Sequence, residues 1–509
     1  MRLPSPFDPK PWPEADIAFL CETLRVWGPD LPLLAQRQRD ALKGISKAVA
    51  PLQKALSELL GGSAKKVAPQ KNPAFIAAVT ALLRWPDLTQ AQSFVLGFPV
   101  VGDVPYSGVF RALAGTADDM EDPAEWLQRE GASVVDDLLT KGPPKDHDVI
   151  LKVTLEEIQK GFCSPLMSRA EVDKRFGRGR WRPLERFVIT QPDGKQRVID
   201  NARKTGHNAH TYMLETIHTV SVDFVASCVR DVFRTLFSNC SDAVPPPCDW
   251  MAVRLGTDDL PDAYRGTQSM MTNSALAWFP YGSQALDGCL YWASQPASAF
   301  SAFTAAYFDD ELSLEFIRDA DVCQGGLHLV FSLMGSPPQP SKRFWASADR
   351  CYLGTSVHVG SANSLGVRVQ PKISSVQKVC AKLDAALESA SLSRDEAGKL
   401  RGDLQWLFAS CNGSAARFAA PVLQRCQYGD NPRLDQRDLL VLRALREMAQ
   451  MAMPRDIFFW APPQPSTLVY TDASFEANKL RLGWVVFAQP PLKPIGGTCA
   501  VPQAVLEEW

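Results

Sequence analysis

Apolar residues in the first 140 positions recur in steps of three and four, the period of helices that bury one face. Ile17, Leu20, Cys21 and Leu24 share a face of a short helix over 14–28, which Gly28 stops. Leu42, Ile45, Val49, Leu52, Leu56 and Leu59 continue as a heptad-like seam. Pro51 interrupts that seam, because proline removes an amide donor and crowds the preceding turn, so a packed helical hairpin is expected rather than a coiled coil. A polar linker over 61–72 precedes another helix at 73–84. No candidate chemistry falls in this region, which reads as a helical preamble.

Lys141-Gly142-Pro143-Pro144-Lys145 marks a boundary. Beyond it, β-rich runs appear. Arg186-Phe187-Val188-Ile189-Thr190 and Lys195-Gln196-Arg197-Val198-Ile199-Asp200 flank Gln191-Pro192-Asp193-Gly194, a hairpin signal. A strand rich in Val and Leu ends in Gly256-Thr257-Asp258-Asp259, and small apolar residues lead into Tyr307-Phe308-Asp309-Asp310, read as a second tight hairpin. Helical periodicity then returns. Val376, Val379, Cys380, Leu383 and Leu387 make one face, and Ser393-Arg394-Asp395-Glu396 is a capping box that opens a second helix through Leu400, Leu404 and Leu407, with Gly413 past its end. Near the end, 468–474 and 483–487 read as two strands.

Bulk properties narrow the class. A chain of 509 residues, 46% hydrophobic, holds material for about three or four domains. Its net charge of -2 excludes a globally basic nucleic-acid binder, so any such site must be a local concentration of charge. One exists over 174–204, where Lys174, Arg175, Arg178, Arg180, Arg182, Arg186, Lys195, Arg197, Arg203 and Lys204 face only Glu185, Asp193 and Asp200. A basic hairpin there suits phosphate oxygens. Twelve cysteines without a CxxC spacing argue against zinc and for a reducing compartment. His207 and His210 lack a third ligand nearby and do not make a metal site. The absence of a long apolar run or a signal peptide predicts a soluble chain in the cytoplasm or nucleus, with no membrane partner.

Adjacent carboxylates repel, so a retained Asp-Asp pair implies a cation or a basic partner. A basic hairpin, a strand-end carboxylate and an Asp-Asp turn in this order can assemble metal ions, a triphosphate and an attacking hydroxyl. These residues resemble the reverse transcriptases of retroelements, closest to those of long-terminal-repeat and tyrosine-recombinase retrotransposons. Tyr307-Phe308-Asp309-Asp310 looks like the family's Y-x-D-D motif, and Asp259-Leu260-Pro261-Asp262-Ala263-Tyr264 like its D-x-x-x-A-Y motif. Gln191-Pro192-Asp193-Gly194-Lys195, with Arg197 and Asp200-Asn201, resembles the fingers hairpin over the incoming nucleotide. Tyr352-Leu353-Gly354 resembles the hairpin that grips the primer end. The similarity covers about residues 175–415.

The resemblance implies an α+β, right-hand polymerase with fingers, a ferredoxin-like palm and a helical thumb. The N-terminal helical region would occupy 1–140, fingers and palm 141–370, thumb or connection 371–460, and an incomplete ribonuclease H-like segment 461–509. The implied reaction is RNA-directed DNA synthesis from deoxynucleoside triphosphates on a primed RNA or DNA template. Asp259 and Asp309 would hold two Mg²⁺ (or Mn²⁺) ions with Asp310 assisting. Asp258 competes with Asp259 for that role, and the offset to Ala263-Tyr264 favours Asp259. Tyr264 would exclude a 2′-hydroxyl, Lys195 and Arg197 would bind the triphosphate, and Lys342 would protonate the leaving pyrophosphate. Pro280-Tyr281-Gly282 stands for the family's Pro-Phe-Gly turn, placing Tyr281 and Gly282 beside the nucleotide, with a helical face over Ala285, Leu286, Cys289, Leu290 and Ala293 after it. Asp472 matches the first carboxylate of a ribonuclease H, whose remaining acids would follow residue 509.

The interval between Asp259 and Asp309 is shorter than the family's. The alternative is therefore an inactive or decayed relative that keeps only nucleic-acid binding. A third reading is a helical interaction protein whose Asp pairs are surface turns.

Overall fold

The chain is described from a computed structural model covering residues 30–60, 71–82, 87, 89–98, 100–108, 111–113, 121–191, 194–216, 222–236, 253–259, 303–307, 310–316, 322–359, 366–411, 415–429, 431–452, 454–458, 468–476, 479–487 and 494–501, with Ala18 and Cys21. The fold is α+β and divides into two compact units. The first comprises 1–221 and 253–347, the second 222–252 and 348–509. Most of the helix expected at 14–28 lies outside the described residues.

In the first unit, helix α1 (Leu31–Leu59) is one continuous element of 29 residues with Pro51 inside it, not the helical hairpin expected from the seam. Pro51 is exposed. The bond lost at its missing amide therefore lies at the surface, while the first half of the seam anchors the helix. Leu42 joins Phe75, Ile76 and Val79 of α2 (Pro73–Leu82), Phe94 of α3 (Gln90–Leu96), and a later helix bearing Leu327, Val330, Phe331 and Met334 in one buried cluster. Ile45 and Val49 pack against it from α1. Beyond Pro51 the seam stops being buried, with Leu52 at 52% and Leu59 at 79% exposure.

Three further helices follow, α4 (Pro123–Lys141), α5 (His147–Gln159) and α6 (Arg169–Phe176). Short strands β1 (Gly102–Val104) and β2 (Arg111–Ala112) pair with β5 (Thr211–Met213) and β6 (Glu215–Thr216) on either side of the hairpin β3 (Arg186–Thr190) and β4 (Gln196–Asp200) in sequence. Gly194 adopts φ +81° in the hairpin turn, and the Gln191 amide donates to the Lys195 carbonyl at 2.8 Å. Pro192 and Asp193 lie outside the described residues.

The central sheet of this unit has the order β10-β7-β9-β8, formed by β7 (Val253–Asp259), β8 (Phe303–Tyr307), β9 (Asp310–Phe316) and β10 (Phe344–Ser347), and every pairing is antiparallel. Successive residues of a strand point to opposite faces. One face carries Leu255, Leu312 and Leu314, all buried. The other carries Gly256, Asp258, Glu311, Ser313 and Glu315 and is covered by Gln324 of α7 (Val322–Met334). A Cβ at Gly256 would lie 2.5 Å from Gln324 Oε1 and 2.7 Å from Ser313 Oγ, so the helix approaches that closely only over glycine.

The second unit contains a sheet of order β11-β12-β13-β14: β11 (Asp349–Tyr352), β12 (Thr355–Val359), β13 (Gly366–Pro371) and β14 (Arg455–Phe458). Leu353 and Gly354, both at positive φ (49° and 71°), join its first two strands, the backbone that a two-residue hairpin turn requires. Helices α8 (Ile373–Ser389), α9 (Arg394–Ser410), α10 (Ala420–Tyr428) and α11 (Gln436–Met451) enclose a core that includes Leu383, Leu400, Leu404, Leu423, Leu442 and Leu445. Ser393 and Glu396 form the reciprocal capping box that opens α9. A helix over Val222–Leu236 and three antiparallel strands, β15 (Leu468–Glu476), β16 (Lys479–Phe487) and β17 (Ile495–Ala500), also belong to this unit. Among the described residues, no helix is long and apolar enough to cross a membrane.

Candidate active site

The end of β7 and the start of β9 meet in register. Asp259 pairs with Asp310, and Asp258 pairs with Glu311. Directly paired residues of an antiparallel ladder have Cα atoms roughly 4.5–5.5 Å apart and side chains on the same face. Tyr307, the last residue of β8, also pairs with Asp310, so two residues, 308 and 309, separate β8 from β9. Asp309 itself lies outside the described residues, as do Tyr264, Tyr281, Gly282 and the helical face expected over 285–293.

Two successive bases answer the two successive acids of β7. Lys342 donates from Nζ to Asp259 Oδ2. The next residue, Arg343, donates from Nε to Asp258 Oδ1 at 2.7 Å. The pairs differ in exposure because strand residues alternate. Asp258 and Arg343 are 3% and 11% exposed, whereas Asp259 is 17% and Lys342 54% exposed. Gln324 completes the inner group by donating its side-chain amide to Asp258 Oδ2 at 2.8 Å. Arg343 also reaches His328 Nδ1 and stacks over Trp345, 4.8 Å from the ring centroid. Arginine has only donors, so Nδ1 of His328 accepts and its proton resides on Nε2. Burial, then the Arg343 charge, holds the His328 pKa below its ordinary value.

The loop carrying these bases is tied to the same strand. The Gln339 amide donates to the Asp259 carbonyl at 2.9 Å, the Lys342 amide to the Gln339 carbonyl at 3.0 Å, and Phe344 of β10 pairs with Thr257. Glu311, the ladder partner of Asp258, is 2% exposed, and among the described residues neither of its carboxylate oxygens has a hydrogen-bond partner. Burial, then the neighbouring Asp258 carboxylate, raises its pKa well above the ordinary range. Glu315 accepts from the Gln324 amide at 2.6 Å, near the start of α7.

Sequence reasoning named Asp258, Asp259, Asp310 and Lys342 but missed Arg343, Gln324, Glu311 and His328. One signal was available: consecutive acids at 258–259 and consecutive bases at 342–343 suit two ion pairs on opposite faces of a strand. Glu311, Ser313 and Glu315 alternate with Leu312 and Leu314, a pattern of a half-exposed strand, yet both faces are buried.

The basic hairpin is less available than its charge count suggests. Arg186 is held by Asp200, Thr154 and Glu157, each at 2.8 Å, and Lys204 pairs with Glu185 at 2.5 Å. Arg182 is buried, bonded to the carbonyls of Thr205 and Glu130, with its guanidinium over Trp126. Arg197 donates to Gln191 Oε1 at 3.0 Å, and Lys195 occupies the end of the turn. His210 stacks on the Trp126 ring at 4.0 Å, and His207 meets it edge-on at 5.6 Å.

Asp472 sits in the second unit, exposed on β15 opposite Gly483. Among the described residues, no group of three or more His, Cys, Asp or Glu side chains is arranged to hold a metal ion. At the strand end, the Asp259 carboxylate, a hard oxygen donor, is paired with the Lys342 ammonium.

No protein-family model and no curated protein matches the chain. Among solved structures it is similar to the foamy viral protease-reverse transcriptase dRH in complex with ds DNA, at a TM-score of 0.35 and 13% identity. That match covers 63% of this chain and 51% of the other, so the chain spans about half the length of that protein.

Proposed function

We propose that the chain is a retroelement-type reverse transcriptase, an RNA-directed DNA polymerase that extends a primer on an RNA or DNA template. On this reading the sheet of β7–β10 is the palm, the β3–β4 hairpin belongs to the fingers, and the helical core of the second unit is the thumb or connection. The observation that carries it is the pairing of Asp259 with Asp310 at adjacent strand ends, with a cationic side chain on Asp259. Asp259, Asp309 and Asp310 would hold Mg²⁺ or Mn²⁺. Bound there, divalent cations supply Lewis-acid activation of the primer 3′-hydroxyl and stabilisation of the pyrophosphate leaving group.

The protein's own residues have separate tasks. Asp259 presents its carboxylate at the rim, while the Asp258–Arg343–Gln324 group fixes the strand end that carries it. Lys342, half exposed and tethered through its backbone, can deliver a proton or a positive charge to a leaving phosphate. Lys195 and Arg197 would contact the triphosphate, Tyr264 would read the sugar, and Tyr281 and Gly282 would flank the nucleotide.

Primer extension on an RNA template with Mg²⁺ or Mn²⁺ tests the proposal, beside Asp259→Asn and Asp309→Asn. Loss of a charge that stabilises the transition state by ~3 kcal/mol predicts at least about a 100-fold fall in rate. Extension by the native chain no faster than by Asp259→Asn defeats the polymerase reading and leaves nucleic-acid binding alone.

A further inference from the structure

The inference rests on the cation site proposed above and concerns what occupies Asp259 before a metal ion arrives. Asp259 is 17% exposed, follows the buried Asp258, is the ladder partner of Asp310, and lies near the buried Glu311. Carboxylates gathered this way repel one another unless a positive charge is present. Lys342 supplies one. Its backbone is fixed on both sides, by the Gln339–Asp259 and Lys342–Gln339 bonds and by Arg343, whose guanidinium is 11% exposed and bonded to Asp258. Its side chain is 54% exposed, so the ammonium can leave without disturbing packed neighbours. The address is rigid and the charge is movable.

We propose that Lys342 is a built-in counter-ion of Asp259 that competes with divalent cations for the same carboxylate. The site then stays neutralised and folded when empty, and a bound cation releases the lysine ammonium towards solvent and phosphate. Two adjacent acids serve different ends: Asp258 keeps its arginine permanently, and Asp259 exchanges its lysine for a metal ion. Competition makes a definite demand. Removing the lysine charge must tighten cation binding at Asp259, whereas a lysine that merely braced the loop would leave affinity unchanged or weaken it.

The test is a titration of the full-length protein with Mn²⁺ alone, free Mn²⁺ being read by electron paramagnetic resonance without nucleotide or primer. An exposed ion pair of ordinary strength, at the upper part of its range, predicts about two- to fivefold tighter binding by Lys342→Gln, with Lys342→Arg close to the native chain. Circular dichroism confirms that each variant folds. Equal or weaker binding by Lys342→Gln, with Asp259→Asn still abolishing the site, overturns the competition and leaves the cation site standing. Mn²⁺ binding that does not depend on Asp259 overturns the cation site and the competition together.

Discussion

Replacing Arg343 by methionine removes one partner of the innermost ion pair while keeping much of the side-chain volume. Asp258 is 3% exposed and would retain only the Gln324 amide as a donor among its described bonds. Breaking one side of a buried pair leaves an uncompensated charge and costs about 3–5 kcal/mol. The lost stacking on Trp345 adds ~0.5 kcal/mol, the low end, because that ring is 48% exposed. A destabilisation of about 3.5–5.5 kcal/mol follows. Read by urea unfolding under circular dichroism, it corresponds to a midpoint lowered by about 1.2–1.8 M at a slope of ~3 kcal/mol per M. The double variant Asp258→Asn/Arg343→Met removes both charges, so its loss should be smaller than the sum of the single losses by about 2 kcal/mol or more. A single-variant loss below ~1 kcal/mol, or strict additivity in the double variant, would show that the pair behaves like a solvated surface bridge. The rigid address assigned to Lys342 would then have no support.

Other outcomes are as definite. Burial, then the Arg182 charge, lowers the His207 pKa to about 4, against an unfolded value near 6.5. The unfolded chain therefore binds the proton first, and stability falls as pH drops from about 6.5 towards 4, by ~2 kcal/mol at pH 5; His207→Gln should flatten that part of the profile in unfolding measurements at pH 7 and 5. Gly354→Ala should cost about 1–2 kcal/mol in thermal unfolding, since φ is +71° and a Cβ would meet Trp406 Nε1 at 3.0 Å. Ser393→Ala removes the hydroxyl that accepts from the Glu396 amide, and should cost ~1 kcal/mol, with Ser393→Asp close to native.

Legibility tracked how local the governing physics was. The capping box at Ser393 and the β3–β4 hairpin are written within a few residues of themselves, and both elements form where the pattern puts them. The seam at 42–59 misled because proline argues from its own turn, whereas the continuity of α1 is decided by Phe75, Val79 and Phe331, which pack against its first half from distant segments. Charge density over 174–204 has the same local horizon: Glu157 and the carbonyl of Glu130, outside that stretch, hold Arg186 and Arg182. The two aspartates of β7 make the point most sharply. Periodicity sends neighbours to opposite faces but cannot say which face is interior. The difference between Asp258 and Asp259 is set by α7 and by Arg343, 66 and 85 residues away in sequence. Any chain that places two acids at a strand end must settle which one is buried, and a cation-binding role is open only to the one whose counter-charge can leave. On the proposed reading that is Asp259, because its partner is a half-exposed lysine and not a buried arginine.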